Sequence, residues 1–149
     1  MTNDEFKKLC LLKKHFSDTN ISLPSAGEKC SNPIPVYSDT TKDIFTLSLD
    51  RHGITLTKQK LQELHKNDNT VMIRLEIDCK PHMFRDGHFS SRNHIHIFDE
   101  NEENGLQTYD LTGEYGKLFS DINNFSEVFY DFCKICNIAT DGLNIQGVI

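Results

Sequence analysis

The sequence has 149 residues, 37% hydrophobic and 26% charged, which is typical of one globular domain and not of a disordered, fibrous or membrane protein. Its 16 lysines and arginines against 22 aspartates and glutamates give a net charge of -6, so a generally basic surface is not expected and any binding of nucleic acid would need a local patch. No apolar run reaches the roughly 18 residues of a membrane span, and charges interrupt the N-terminal segment where a signal peptide would have its apolar core. We therefore expect a single cytoplasmic domain, 1–149, with no membrane partner.

The cysteines favour the same location. Their number is odd and no export signal precedes them, as expected for free thiols in a reducing compartment. We expect no disulfide among Cys10, Cys30, Cys79, Cys133 and Cys136. The C-x-x-C pair at 133 and 136 falls late in an amphipathic segment, which favours core packing over an activated thiolate.

The N-terminal elements begin with a capping signal. Thr2 and Glu5 form an S/T-x-x-E box, and the apolar residues that follow at helical spacing predict a helix over 3–16. Residues 17–32 are rich in Ser, Asn, Gly and Pro and predict a long loop. Residues 33–37 contain two prolines, so we predict an edge strand there.

Between residues 44 and 98 a two-residue period of apolar residues predominates. This alternation predicts strands over 45–49, 71–79 and 93–98, and a further strand over 106–111. The segment 54–66 is ambiguous, because Ile54 and Leu56 have strand spacing whereas Leu61 and Leu64 have helical spacing. On the second strand, the polar face would present Arg74, Glu76 and Asp78 about 7 Å apart.

A second helix is predicted near the C-terminus. It is capped near Asn124 and carries the aromatic side chains of 125, 129 and 132 on one face. These elements together predict an α+β fold, an antiparallel sheet of about five strands with an N-terminal and a C-terminal helix.

Four of the seven histidines fall within 15 residues: His82, His88, His94 and His96. On a strand, side chains two positions apart project from the same face, so His94 and His96 should lie side by side. The turn pair Asp86-Gly87 would fold His82 back beside them if the strands on either side pair antiparallel.

Three interpretations of this histidine cluster stay open. The histidines are a polar sheet face without special chemistry, or a metal-free acid–base site in which Arg74 or Arg92 stabilises an oxyanion, as in ribonucleases and phosphodiesterases. In the third, His82, His94 and His96 bind a divalent metal that is completed or oriented by Glu100 or Glu76.

Several segments also resemble the motifs of a family of small uncharacterised proteins found in Firmicutes and their mobile elements. These segments are F-T-L-S-L-D-R (45–51), I-R-L-E-I (73–77), P-H-M-F-R-D-G (81–87) and N-H-I-H-I-F-D-E (93–100). The family's signature runs R-L-D-I, then P-H-x-N-P-D-G, then H-I-H-I-Y-x-E. By position, the resemblance singles out Arg74, Glu76, His82, Asp86, Gly87, His94, His96 and Glu100. The same motif signature is also loosely similar to the pattern of some bacterial toxin components proposed to act on RNA.

Two functions are therefore expected as alternatives. The first is a small histidine-centred hydrolase, such as a toxin-like ribonuclease or phosphodiesterase acting on RNA or a nucleotide. In it, His94 or His96 is the base, His82 the acid and Arg74 the anion clamp, while Glu76 and Asp86 orient imidazoles. The second is a phage or mobile-element anti-defence protein without catalysis, which binds a host defence or regulatory protein through the acidic run 99–103.

Overall fold

The computed structural model describes residues 1–29 and 32–147 and combines two α-helices with two β-sheets. The helices are α1 (Asn3–Leu11) and α2 (Phe125–Ile135), and a short 3-10 helix covers Glu114–Leu118. The strands are β1 (Lys14–Phe16), β2 (Asn20–Ser22), β3 (Ile34–Ser38), β4 (Ile44–Asp50), β5 (Gln59–His65), β6 (Thr70–Ile77), β7 (His94–Phe98), β8 (Leu106–Asp110), β9 (Ile138–Ala139) and β10 (Asn144–Gln146).

The main sheet has eight strands in the order β8-β7-β6-β5-β4-β3-β1-β9. Neighbouring strands are antiparallel except for β1 and β9, which are parallel, so the sheet is mixed. Strands β2 and β10 form a separate parallel pair. The α+β class is as predicted, but the expectation of about five antiparallel strands is wrong, because the short strands near the ends of the chain carried no alternation signal. Strand β3 is also not an edge strand, since β1 and β4 pair with it on either side.

Helix α1 begins where the capping signal predicts and ends earlier than expected. The Thr2 hydroxyl accepts a hydrogen bond from the Glu5 backbone N–H at 3.1 Å, and the Glu5 carboxylate accepts one from the Thr2 N–H at 3.2 Å. At Leu12 the backbone turns to an extended conformation, with ψ of 134°. The predicted helix over 3–16 is therefore too long, because β1 gains two strand partners where a further helical turn would gain none.

The ambiguous segment 54–66 contains strand β5. Ile54 and Leu56 precede it and are exposed. The buried face of β5 carries Leu61 together with the polar side chains of Gln59, Glu63 and His65. Because these polar residues alternate with the half-buried Leu64, hydrophobic spacing does not show the period of this strand.

Helix α2 confirms the second predicted helix, including its Asn124 cap, whose side chain accepts a hydrogen bond from the Glu127 N–H. Its buried face is Phe125, Val128, Phe129, Phe132 and Cys133, and these side chains belong to the same apolar core as Ile95 of β7. Since neighbouring side chains on a strand alternate, His94 and His96 lie on the sheet face opposite to the one that carries Ile95.

The thiols of Cys79, Cys133 and Cys136 are buried, Cys10 is partly exposed, and all four are free. The expectation for Cys30 falls outside the described residues. Among the helices of the described ranges, none is both long and apolar enough to cross a membrane.

Candidate histidine–glutamate site

The antiparallel pairing of β6 with β7 creates the candidate site. Its register places Arg74 opposite His96 and Glu76 opposite His94. Because directly opposed residues of a strand pair project to the same face, two imidazoles, one carboxylate and one guanidinium lie together. Antiparallel pairing of these two strands is also the condition on which the sequence predicted that His82 lies beside His94 and His96, and the register meets that condition.

Glu76 lies at the centre of the group and contacts both imidazoles. Its Oε2 is 3.0 Å from His94 Nε2, and its Oε1 is 3.6 Å from His96 Nε2. One ligand atom from each of Glu76, His94 and His96 lies within 4.8 Å of the other two. The side chain of His94 is 1% exposed and that of Glu76 14% exposed, so the group is nearly closed to solvent.

The far nitrogen of each imidazole is held from behind. His94 Nδ1 lies 2.8 Å from the Ser91 carbonyl oxygen and 3.3 Å from the Ser90 hydroxyl. His96 Nδ1 lies 2.8 Å from the Thr108 hydroxyl, which projects from β8 directly opposite His96. These contacts fix both ring orientations and direct both Nε2 atoms at Glu76.

The protonation of the group follows from its burial and its hydrogen bonds. Burial alone would raise the pKa of Glu76, but the hydrogen bonds and charges of His94 and His96 outweigh it and hold that pKa well below its usual range. Burial alone would lower the pKa of His94, but hydrogen bonds to Glu76 and the Ser91 carbonyl outweigh it and raise that pKa. For His82, burial and the neighbouring His96 and His94 lower the pKa.

His82 is brought to the site by a hairpin over 82–90. Its backbone N–H donates to the Ser90 hydroxyl and its carbonyl accepts from the Ser90 N–H, both at 2.8 Å. Gly87 turns the hairpin with a φ of 91°, a left-handed conformation that glycine adopts without strain. The His82 ring then lies 5.7 Å from the His96 ring, centre to centre.

Beside the hairpin, a groove of about 700 Å³ opens to solvent. Its lining includes His82, Phe84, His88, Glu102, Gln107 and Thr108. The Phe84 ring stacks on His88 at 4.3 Å and meets His82 edge-on at 5.0 Å. His82 is thus the imidazole that links the buried group to the groove.

The structure brings the other residues singled out by the sequence to different places. Arg74 lies at the site, with Nη1 3.9 Å from Glu76 Oε1 and Nε bonded to Gln62 at 2.9 Å. Asp86 is exposed and bonds to His88, so it does not orient the imidazoles of 82, 94 or 96.

Two further candidates serve other parts of the fold. Glu100 accepts a hydrogen bond from the Asn3 N–H at 2.6 Å and so lies at the start of α1, outside the Glu76 group. Arg92 bonds to Asp78 at 2.8 Å instead of facing the imidazoles.

Sequence reasoning missed the residues that support the imidazoles: Ser90, Ser91 and Thr108. Thr108 is the buried centre of the predicted strand over 106–111, and a buried hydroxyl on a strand next to two histidines was a usable signal. Ser90 and Ser91 lie in a loop, where no periodicity marks the direction of a side chain or a carbonyl.

The fold and the site define a small α+β protein with a His-His-Glu group on one face of a mixed sheet. The chain belongs to the family of unknown function DUF6978, whose sequence profile matches residues 1–138. No curated protein and no solved structure matches the chain. The expectation of a family without an established function is confirmed at that level.

Proposed function

We propose that the protein is a small histidine-centred hydrolase that cleaves a phosphodiester bond in RNA or a nucleotide. The observation that carries the proposal is the convergence of Glu76, His94 and His96, from two neighbouring strands, with His82 beside them in the lining of a groove that opens to solvent. Hydrolysis of a phosphodiester needs an activated water, an acid for the leaving oxygen and a cation for the phosphoryl oxygens. The site offers a group for each task.

Within the buried group His96 is placed to activate the water, because Thr108 and Glu76 fix its ring and the ring centre lies 5.7 Å from that of His82, which lines the groove. The water oxygen attacks phosphorus while the P–O bond to the leaving oxygen breaks, giving a monoester and an alcohol. The proton removed from water leaves through the buried group, and His82 supplies a proton to the leaving oxygen. Arg74, whose guanidinium lies on the same sheet face, balances the charge that develops on the phosphoryl oxygens.

The same proposal gives the enzyme a cytoplasmic, toxin-like setting. The support is the resemblance of its three motifs to proteins of Firmicutes and mobile elements, and the loose likeness to toxin components. The net charge of -6 then requires that RNA be held by local groups such as Arg74 and the Phe84–His88 stack, and not by general attraction to phosphate.

The test is turnover of labelled single-stranded RNA and of cyclic nucleotides by purified protein, with and without a chelator. His82→Ala and His96→Gln should each lower the rate at least about 100-fold, the usual contribution of a positioned acid or base. His15→Ala is the matched control, because this histidine, like His96, contacts a carboxylate but is exposed on β1. Absence of turnover on every substrate, or turnover unchanged by His82→Ala, would contradict the proposal.

The alternative is an anti-defence protein that binds a host partner through its acidic run 99–103. Its support is the net charge, but the run is partly engaged within the fold. Asp99 and Glu100 both bond to Asn3 at the start of α1, and Glu103 pairs with Arg85. Charge reversal at Glu102 and Glu103 should release a captured partner if this alternative holds. If the hydrolase proposal holds, the same change should not lower RNA turnover, because both side chains line the groove, where added positive charge favours phosphate.

A further inference from the structure

We propose that Glu76, His94 and His96 form the binding site of one divalent transition-metal ion, which rests on and deepens the hydrolase proposal for the same site. The ion would use Nε2 of each histidine and the Glu76 carboxylate as ligands. Two imidazoles and one carboxylate are a ligand set found in zinc hydrolases and in iron sites with open positions.

The spacing of the three donors fits a common ion. Two ligand atoms about 2.1 Å from one ion are separated by roughly 3.0 Å when the angle is a right angle and roughly 3.4 Å when it is tetrahedral. The observed separations are 3.0 Å from His94 Nε2 to Glu76 Oε2 and 3.6 Å from His96 Nε2 to Glu76 Oε1. Both lie in or near that range, and one ligand atom of each residue lies within 4.8 Å of the other two, so inward shifts of the side chains would place the three donors around one ion.

The hydrogen bonds behind the imidazoles point to the same conclusion. The Ser91 carbonyl oxygen can only accept, so His94 Nδ1 carries a proton. Nε2 is then the ring nitrogen directed at the Glu76 carboxylate, where a metal ion can take the place of the proton that the two groups would otherwise share. Metal-bound histidines usually donate their second ring N–H to a carbonyl, a carboxylate or a water in this manner.

The surroundings narrow the kind of ion. A site with two nitrogen donors suits Zn²⁺, Mn²⁺ or Fe²⁺ better than Mg²⁺ or Ca²⁺, which prefer oxygen ligands alone. The Arg74 guanidinium lies 3.9 Å from Glu76 Oε1, and its positive charge disfavours the binding of a second metal ion beside the first. His82 is not part of the ligand group and lies beside it at the groove, where it can act on a water or phosphoryl oxygen polarised by the ion.

The experiment measures Zn²⁺ and Mn²⁺ binding to chelator-treated full-length protein by calorimetry, with Co²⁺ absorption as a spectroscopic report on the ligands. We expect one high-affinity ion per chain and no comparable binding of Mg²⁺ or Ca²⁺. Glu76→Gln should weaken binding at least about 100-fold, and Thr108→Val, which removes the support of His96 without removing a ligand, about 10-fold or more. His15→Ala should bind as the unmodified protein does.

Three results would overturn the metal site. These are the absence of binding, binding of equal strength in Glu76→Gln, and loss of binding in His15→Ala instead. Circular dichroism of each variant shows whether it is folded. If Glu76→Gln does not fold, the isosteric variant Thr108→Val still tests the metal site. If the protein binds no ion but hydrolyses RNA in a manner that depends on His82, the metal site is refuted and the hydrolase proposal stands. His94 would then be a cation paired with Glu76. A protein that binds the ion and hydrolyses no phosphodiester refutes the hydrolase alone.

Discussion

Glu63, in the middle of β5, makes the stability of the protein dependent on pH. Glu63 is 1% exposed. Among the described residues, neither oxygen of its carboxyl group has a hydrogen-bond partner of ordinary geometry. Burial raises its pKa from 4.5 to about 7, although Lys14 and the nearby Cys136 thiol partly offset the rise. The folded protein therefore holds this proton more tightly than the unfolded chain does.

The sign and size of the effect follow from this difference. Below pH 4.5 the group is protonated in both states and costs nothing; as the pH rises toward 7 only the unfolded chain ionises, so the free energy of unfolding falls. A rise of roughly 2.5 pKa units corresponds to about 3 kcal/mol, lost in full above pH 7. Glu63→Gln has nearly the same shape and no charge, so its advantage over the unmodified protein should grow by about 3 kcal/mol between pH 4.5 and pH 8.

Urea unfolding followed by circular dichroism at a series of pH values measures this difference. Glu103→Gln is the matched control, because its carboxylate is exposed and its difference from the unmodified protein should stay nearly constant over the same range. If the Glu63→Gln difference were flat between pH 4.5 and pH 8, the carboxyl would not be buried as the structure shows.

Two further outcomes are expected. Gly87→Ala places a side chain on a residue with φ of 91°, which should lower the free energy of unfolding in urea by about 1 kcal/mol. RNA turnover should also fall, because the hairpin that carries His82 must shift. Equal turnover would show that the hairpin does not position this histidine. In a protein carrying Cys30→Ser, the thiols of Cys79, Cys133 and Cys136 should react with a disulfide reagent at pH 8 only after unfolding, because they are buried and burial raises the pKa of each. Rapid reaction of three thiols in the folded protein would contradict the core position of the C-x-x-C pair.

The centre of the site was predictable because each local signal agreed with the tertiary structure. Alternation predicted β6 and β7, and the Asp86-Gly87 turn predicted the hairpin that returns His82. Antiparallel pairing of the two strands then places Glu76 opposite His94. The role of Asp86 was harder to predict. A carboxylate in a turn has near neighbours of its own, and His88, two positions away, is reached before any imidazole across the sheet.

The parts that could not be predicted depend on contacts distant in sequence. Lys14, charged and placed after a helix, shows no sign of being fully buried, yet its ammonium group donates to the carbonyls of Leu12 and Cys136 at 3.1 and 2.7 Å. Such a residue is tolerated in the core because hydrogen bonds satisfy it, and the shorter of the two goes to Cys136, near the other end of the described chain. The short strands β1 and β9 owe their existence to the same tertiary contacts, and three or two residues carry no periodicity of their own.

The two parallel pairings have a consequence for the time course of folding. Strand β1 joins β9 with Lys14 opposite Ile138, and β2 joins β10 with Asn20 opposite Asn144, so both connections span nearly the whole polypeptide. Closing loops of this length is slow and entropically unfavourable, whereas the hairpins from β3 to β8 join near neighbours. During synthesis the central meander can assemble before residues 138–146 have left the ribosome, and the pairs β1–β9 and β2–β10 can form only after those residues emerge.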